Sequence, residues 1–433
     1  MIYILMLVVF VLGYLAIALE HPLKIDKAAS ALIIGALGWA LYAFSGVDFH
    51  HIGEHLSHHV VDIAEILFFL LGAMTIVELV DAHQGFSIIT DKINTTKRVP
   101  LMWILTILSF FFSAVLDNLT AAIVMSALLT KLIKDKNDIW MFAGMIIIAA
   151  NAGGAWSPIG DVTTIMLWIG GQVTASNIIT SIIIPSIVCL IVPMIYISFR
   201  LKGNITKPNQ EESNKHVTNT TTPFERKFVF ILGVCGLLFV PIFKTVTHLP
   251  PFVGILFSLG VMWLATELLH RNKNYEKKSG LTVISVLKKI DIPTIFFFLG
   301  ILLAVAALQS MGHLGDMANI LNNSFNGQTA EGIYIINIII GLLSSIVDNV
   351  PLVAGAMGMY EITETGFYAV DGMFWEFLAY CAGTGGSVLI IGSAAGVAAM
   401  GILKIDFIWY VKNISFLAFL GYIAGAITYI LLQ

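Results

Sequence analysis

Charge is what this sequence has least of. Asp, Glu, Lys and Arg make up 12% of its 433 residues, whereas 58% are apolar and the mean hydropathy is +0.90. A soluble chain of this length needs far more polar surface, so a soluble globular fold is excluded and a multi-span helical membrane protein is expected. Cysteine is nearly absent. Cys189, Cys235 and Cys381 stand in apolar runs without disulfide or metal-ligand spacing, which leaves them as small packing groups. A positive leader is missing as well: Ala16-Ile17-Ala18 resembles a signal-peptidase site, but no Lys or Arg precedes the first apolar run, so that run is expected to be retained as a span. No nucleophile–base pair or metal motif lies in the apolar segments, which argues against an intramembrane enzyme. The net charge of −4 decides nothing about nucleic acid. The expected partners are the lipid bilayer and small ions, with no nucleic acid and no cofactor.

Apolar periodicity and punctuation predict spans at about 2–18, 28–45, 60–82, 177–200, 227–248, 251–269, 292–311 and 407–431. Residues 99–134 and 332–361 read as apolar pairs broken at Asp117-Asn118 and Asp348-Asn349. Residues 139–170 and 373–403 read as long spans broken near Gly153-Gly154 and Gly385-Gly386. The 23 Lys and Arg residues decide how the broken pairs run. They cluster at 24–27, 92–98, 131–136, 200–227, 271–289 and 404–412, and only Lys244 stands apart. If both pairs are re-entrant hairpins, every cluster falls on one face; if each pair crosses once, the clusters split. The positive-inside rule selects hairpins, ten full spans and both termini outside. Hairpin tips at membrane depth must be buried in protein or line a wet cavity.

The halves align at a nearly constant offset. Phe69-Leu70-Leu71-Gly72 matches Phe297-Phe298-Leu299-Gly300, the two Ser-x-x-x-Asp-Asn strings match 231 residues apart, and Asn151-Ala152-Gly153-Gly154 matches Gly383-Thr384-Gly385-Gly386 at 232. Five spans and one hairpin per half make an odd number of crossings, which inverts the second copy. The expected fold is therefore an all-α polytopic membrane protein of two inverted repeats, each with five spans plus one re-entrant hairpin, and paired broken helices. Repeat one is 1–200, a cytoplasmic linker is 201–226, and repeat two is 227–433. The first hairpin (about 99–134) enters from the cytoplasm and the second (about 332–361) from outside. Inverted repeats with paired broken helices are the secondary-transporter pattern, with the site near the midplane.

What charge there is stands in costly places. Ser113-Ala114-Val115-Leu116-Asp117-Asn118-Leu119-Thr120 puts a carboxylate, a carboxamide and two hydroxyls at membrane depth, and Ser344 to Pro351 repeats the string with Asp348 and Asn349. An ionisable group there costs roughly 2.5–3.5 kcal/mol on insertion scales and marks a functional site by default. Asn118 and Thr120 are also good helix caps and need do no more than that, whereas an uncharged cap would replace Asp117 more cheaply. The first broken span adds Asn151, Asp161, Thr163 and Thr164; its partner offers Gly383, Ser393 and Ala395 at the aligned places, with Thr384 and Ser387 nearby. Free carbonyls of a broken helix, with carboxylate and amide oxygens, suit a small hard cation. The unequal halves place sodium mainly on repeat one, at Asp117, Asn118 and Asp161. Apart from Lys131 and Lys134 at the end of the first hairpin, no Lys or Arg lies in a hairpin or broken span, which disfavours an anionic substrate, and a carboxylate at the edge of desolvation lets a proton and a cation compete.

Glu78, with Asp81 near the cytoplasmic end of its span, is a proton-path candidate or an interfacial residue. The segment His50 to His59 holds five of the eleven histidines. His51, His55 and His59 are pH-response candidates; a metal site and a plain interfacial amphipathic helix with Ile52, Leu56 and Val60 as its apolar stripe are the other readings.

At SAVLDNLT, NAGGAWSPIGDVTT, SSIVDNVP and GTGGSVLIIGSAAG the chain resembles the NhaD-type sodium/proton antiporters of the ion transporter superfamily, and the span pattern fits over nearly its whole length. The resemblance implies exchange of sodium, or lithium, for protons across a bacterial inner membrane, and a homodimer with a scaffold and a moving transport domain. By motif position it implies functional roles for Asp117, Asn118, Asn151, Asp161, Thr163, Thr164, Ser344 and Asn349. Dicarboxylate carriers of the superfamily have Ser-Asn-Thr at the hairpin tips, where this chain has Asp-Asn twice. Cation/proton antiport is the expected function, with a sodium-coupled anion or metalloid-oxyanion carrier as the alternative and a channel behind both.

Overall fold

The computed structural model describes every residue except 91, 94, 207–220, 272, 275–277 and 279, and gives backbone only at 18, 21, 22, 49, 50 and 90. The middle of the expected linker and the side chain of His50 thus lie outside the described residues. The principal helices are α1 (Ile2–Ala18), α2 (Lys27–Ala43), α3 (Phe49–Ala82), α4 (Arg98–Leu116), α5 (Asn118–Leu132), α6 (Lys136–Ala155), α7 (Val162–Ile169) and α8 (Ala175–Arg200). Then follow α9 (Pro223–Thr247), α10 (Pro251–Leu269), α11 (Ile292–Ser310), α12 (His313–Phe325), α13 (Ala330–Leu343), α14 (Asn349–Met359), α15 (Met373–Gly385), α16 (Ala394–Leu403) and α17 (Phe416–Leu432). A short helix Phe407–Tyr410 and a π turn Val411–Ser415 lead into α17.

The scarce polar residues go largely to helix starts. Asp26 caps α2, Asp135 caps α6, Thr174 caps α8 and Asp291 caps α11, while Thr222 and Glu225 form a reciprocal capping box on α9. Among the described residues eight helical stretches are long and apolar enough to cross a membrane: α3, α4, α6, α8, α9, α10, α11 and Phe407–Leu432. The chain is a multi-pass helical membrane protein. Helices α1 and α2 have 17 residues each, about 26 Å at 1.5 Å per residue, and α3 has 34, about 51 Å. The histidine-rich segment is the first part of this long helix. Helix α12 has no counterpart among the expected spans; it is a polar-faced surface helix held by Tyr3, whose ring lies tilted with its centroid 3.7 Å from that of His313 and whose hydroxyl donates to Asp316.

One expected boundary is corrected. Helix α6 does not break at Gly153-Gly154 but runs to Ala155, and the irregular stretch is 156–161. The glycines serve close approach instead: a Cβ on Gly153 would sit 2.1 Å from the Phe110 carbonyl oxygen of α4, and one on Gly154 would sit 2.4 Å from the Gly160 carbonyl oxygen.

The halves repeat these contacts pair by pair. Gly385 meets the Gly341 carbonyl oxygen of α13 as Gly153 meets that of Phe110, and Gly386 meets Gly392 as Gly154 meets Gly160. Ser113 Oγ donates to the Ala150 carbonyl (2.5 Å), and Ser344 Oγ donates to that of Ala382 (2.9 Å). Each first limb (α4, α13) packs on the first part of its own broken span (α6, α15), and each second limb (α5, α14) packs on the second part of the other (α16, α7). Helices α1, α2, α3, α9, α10 and α11 pack chiefly on one another.

Both ends of the α4–α5 pair lie at one end of α8. Arg98 N–H donates to the Gly203 carbonyl, Lys134 N–H donates to that of Thr206, and the Arg98 guanidinium pairs with Asp138 at 2.8 Å. The ends of the α13–α14 pair lie with Tyr368, which stacks on Tyr360 and donates to the Gly327 carbonyl, and the same loop reaches the opposite end of α8 through Asp371, which accepts from Thr174. Lys244, the isolated cation, donates to the Trp168 carbonyl at the C-terminal end of α7, where the helix dipole favours positive charge.

Just past the ends of α3 and α10, His83 and His270 stack with ring centroids 5.0 Å apart and Nε2 atoms 2.8 Å apart. His83 Nδ1 faces the Leu79 carbonyl at 2.7 Å and must donate, so its Nε2 accepts from His270. His270 Nδ1 faces Glu225 at 3.8 Å, with Lys273 bonded to that same carboxylate. Burial, then the neighbouring His83, lowers His270 from 6.5 to about 4. A histidine depressed in the fold binds its proton more readily when unfolded, so its contribution to stability is present at neutral pH and falls as pH drops below 6.5 toward about 4. The unfolding midpoint in detergent is expected to fall between about pH 7 and about pH 5, and His270→Gln to flatten that slope. An unchanged slope in the variant would contradict the neutral pair.

Candidate functional site

Four half-helices begin inside the protein, and each begins at a polar cap. Asp117 caps α5 and accepts from Thr120 N–H; Asp161 caps α7 and accepts from Thr163 N–H. Asp348 caps α14, and Ser393 caps α16. The unpaired amides of a helix start must be met somewhere, and membrane depth supplies no water to meet them. The caps thus follow from breaking the helices, but the charge on them does not. Ser393 holds φ −144°, ψ 151° and Asp161 φ −148°, ψ 147°, so a hydroxyl performs in one half the capping that a carboxylate performs in the other. The negative charge of Asp161 is in excess of what capping requires.

Asp161 is where the two halves meet. Its Oδ1 accepts from Thr163 N–H and Thr163 Oγ1 at 2.8 Å each. Asn118, the first residue of α5, donates to Oδ2, and Asn349, the first residue of α14, reaches both oxygens at 3.2 and 3.3 Å. Asn118 also donates to Asn151 Oδ1 (3.1 Å), and Asn151 donates to Ser387 and Ser393 at 2.9 Å each. Asn118, Asn151, Asp161 and Asn349 are at most 3% exposed. Among the described residues no Lys, Arg or His forms an ion pair with Asp161, and the charges that act on it are the carboxylates of Asp348 and Asp117. A buried carboxylate ringed by neutral amides and hydroxyls is a seat for a proton or a small hard cation.

Of the residues singled out from sequence, Asn118, Asn151, Asp161, Thr163, Asn349 and Ser387 come together here. Thr164 closes the first turn of α7 on the Asp161 carbonyl. Ser113 and Ser344 fasten the hairpins to the broken spans through backbone carbonyls, as described above. Thr120 Oγ1 donates to Asp117 at 2.8 Å, so these two form their own pair. Asp117 holds φ +83°, ψ 158°, a backbone region that L residues avoid at about 1–3 kcal/mol. Glu78 stands apart, 3.8 Å from Lys289 and half-buried. His51 faces Glu54, His55 Nδ1 bonds Tyr42 at 2.9 Å, and His59 lies 3.3 Å from Ser310 Oγ, all away from Asp161.

Two residues were missed. Ser393 was visible as the repeat partner of Asp161 but carried no charge to draw notice. Lys27 gave no signal, since 321 residues separate it from Asp348, yet its Nζ lies 3.4 Å from Asp348 Oδ2 and 4.3 Å above the Phe297 ring. A cation thus does reach one hairpin tip, and it neutralises the carboxylate of the second half.

A family model described as citrate transporter, CitMHS, matches residues 5–375. A protein named sodium/proton antiporter 1 from Arabidopsis thaliana is 43% identical over 98% of this chain and 72% of its own length. A Na(+)/H(+) antiporter NhaD from Vibrio cholerae is 30% identical over 99% of this chain and 91% of its own length, and one from Alkalimonas amylolytica is 29% identical over 96% and 88%. The chain belongs to the NhaD-type sodium/proton antiporters of the ion transporter superfamily. The family match takes in Asn118, Asn151, Asp161 and Asn349 and stops before Ser387 and Ser393.

In this NhaD-type chain the site depends on backbone-to-backbone approach. Gly153→Ala and Gly385→Ala would each drive a Cβ to 2.1 and 2.0 Å from a hairpin carbonyl oxygen. Each is expected to destabilise by about 1–3 kcal/mol and to cripple the site by pushing its hairpin away. Gly260→Ala, with nothing within 4 Å, is expected to be silent. Thermal melts of the three variants in detergent check this, and equal melts for all three would contradict it.

Proposed function

We propose that this protein exchanges sodium for protons across a membrane, with Asp161 carrying whichever of the two is bound. The observation that carries the reading is the uncompensated carboxylate reached by an asparagine from each hairpin. With a proton on Asp161 the amides serve as neutral partners. With sodium present, turning Asn118, Asn151 or Asn349 about its terminal bond offers a carbonyl oxygen where an N–H stood, and the ion replaces the proton. The two cannot occupy one carboxylate together, and that exclusion couples their movement. Asp117 adds a second negative charge near the site, and Thr163 fixes the carboxylate. The names borne by the relatives point to the same pair of ions. A citrate-type substrate fits poorly: three carboxylates lie at or near the site, and Lys27, the cation that reaches a hairpin tip among the described residues, is already paired with Asp348.

The topology we infer is two inverted repeats with re-entrant hairpins. It is supported by the matched contacts of the halves, by the hairpin openings at opposite ends of α8, and by Lys244 lying at the end away from Arg98 and Lys134. Helices α1–α3 and α9–α11 would form the scaffold and the broken elements the transport domain. Lithium as an alternative ion, a homodimer, and a bacterial inner membrane complete the proposal; the relatives come from bacteria and a plant alike.

Proteoliposomes with a pH dye inside, pulsed with sodium, test the function. Sodium-driven proton movement should need no added carboxylate anion, and raising the pH should lower the apparent sodium KM until the site is deprotonated. Asp161→Asn is expected to reduce exchange by at least about a hundredfold, because the amide binds neither proton nor sodium in the carboxylate's way. Movement that requires citrate, or that survives Asp161→Asn, would contradict the reading.

A further inference from the structure

The five-histidine segment is divided by the structure. His51 and His55 have partners of their own, as described above. His58, His59 and Asp62 form a separate group: each offers one ligand atom, and the three atoms lie within 4.8 Å of one another. His58 and Asp62 are one turn apart on α3, with Nδ1 3.6 Å from Oδ2. Ligand atoms around a tetrahedral zinc stand about 3.4 Å apart, given bonds of about 2.0–2.1 Å, so a rotamer shift of about 1 Å completes the set.

The group has a definite place. His58, His59 and Asp62, with Glu65 one turn on, line a cavity of about 430 Å³ together with Met166 of α7 and Ala354 of α14. Those two helices begin at the cap Asp161 and at Asn349. The cavity therefore lies between the histidines and the far ends of the elements that form the ion site. Asp62 and Glu65 put two carboxylates on its lining.

We propose that His58, His59 and Asp62 bind a borderline transition-metal dication, with zinc as the test ion, at the mouth of this cavity, and that the bound ion closes the cavity to sodium. Two imidazoles and one carboxylate are a zinc-type donor set, whereas sodium, magnesium and calcium prefer oxygen alone. Water supplies the fourth position. A dication at the mouth opposes entry of another cation by charge and by bulk. The closing rests on the antiport reading; the metal site does not.

The test titrates zinc into purified, tag-free protein by calorimetry and, separately, adds zinc to one face or the other of exchanging proteoliposomes. One zinc per chain is expected, with affinity falling roughly a hundredfold in the His58→Ala, Asp62→Asn double variant. Zinc should inhibit wild-type exchange from one face only, and the double variant, which exchanges normally without zinc, should be insensitive. No binding, or binding undiminished in the variant, overturns the site. Binding without inhibition overturns the closing, and because exchange is scored without zinc as well, neither result is confused with a failure of antiport. His59→Gln, which removes the third ligand alone, should weaken zinc in the same direction; an unchanged affinity also overturns the site.

Discussion

A helix broken inside the buried core of a protein has unpaired amides that no water reaches. Everything at the centre of this protein answers that constraint. Four half-helices start there, and four side chains, Asp117, Asp161, Asp348 and Ser393, supply the acceptors. Around them the backbones lie so close that Gly153 and Gly385 admit no Cβ. The structural role and the chemical role of these residues are therefore the same role, seen without and with a charge to spare.

The three carboxylates differ in how that charge is met. Asp348 is neutralised by Lys27, Asp117 is held by Thr120, and Asp161 has neutral partners drawn from both halves. A fixed ammonium thus neutralises Asp348, the second-half counterpart of Asp117, whereas the counterpart of Asp161 is the uncharged Ser393. Breaking the Lys27–Asp348 pair from one side would strand a charge, at roughly 3–5 kcal/mol when fully buried. Inequality between the halves thus lies in the counter-charge as well as in the exchange of Ser393 for Asp161.

Much of this was legible in the sequence, because membrane depth makes each polar residue expensive and therefore informative. Asp117-Asn118 and Asp348-Asn349 marked the helix breaks, and the constant offset between the halves matched contacts later seen atom by atom. What could not be read was direction and distance. Gly153-Gly154 reads as a break because glycine signals both a turn and a close approach, and only the Phe110 carbonyl distinguishes the two. Thr120, which reads equally as a cap, is bonded through its own N–H and hydroxyl to Asp117. Lys27 belonged to a basic cluster at a span end, and nothing local tied it to a residue in the other half. The convergence of Asn118 and Asn349 on one carboxylate required two hairpins to cross over each other's broken spans, which no local pattern encodes.

The central claim is that proton and sodium compete for Asp161. Proton release on adding sodium to the detergent-solubilised protein, across about pH 6–9, tests it most directly, since it needs neither a membrane nor a conformational cycle. The wild type should release protons, and so should the Lys27→Met, Asp348→Asn double variant, which removes one pair of opposite charges together. Asp161→Asn should release none. Release that persists in Asp161→Asn, or that is lost only in the double variant, would contradict the account and move the exchanged ion to the second half.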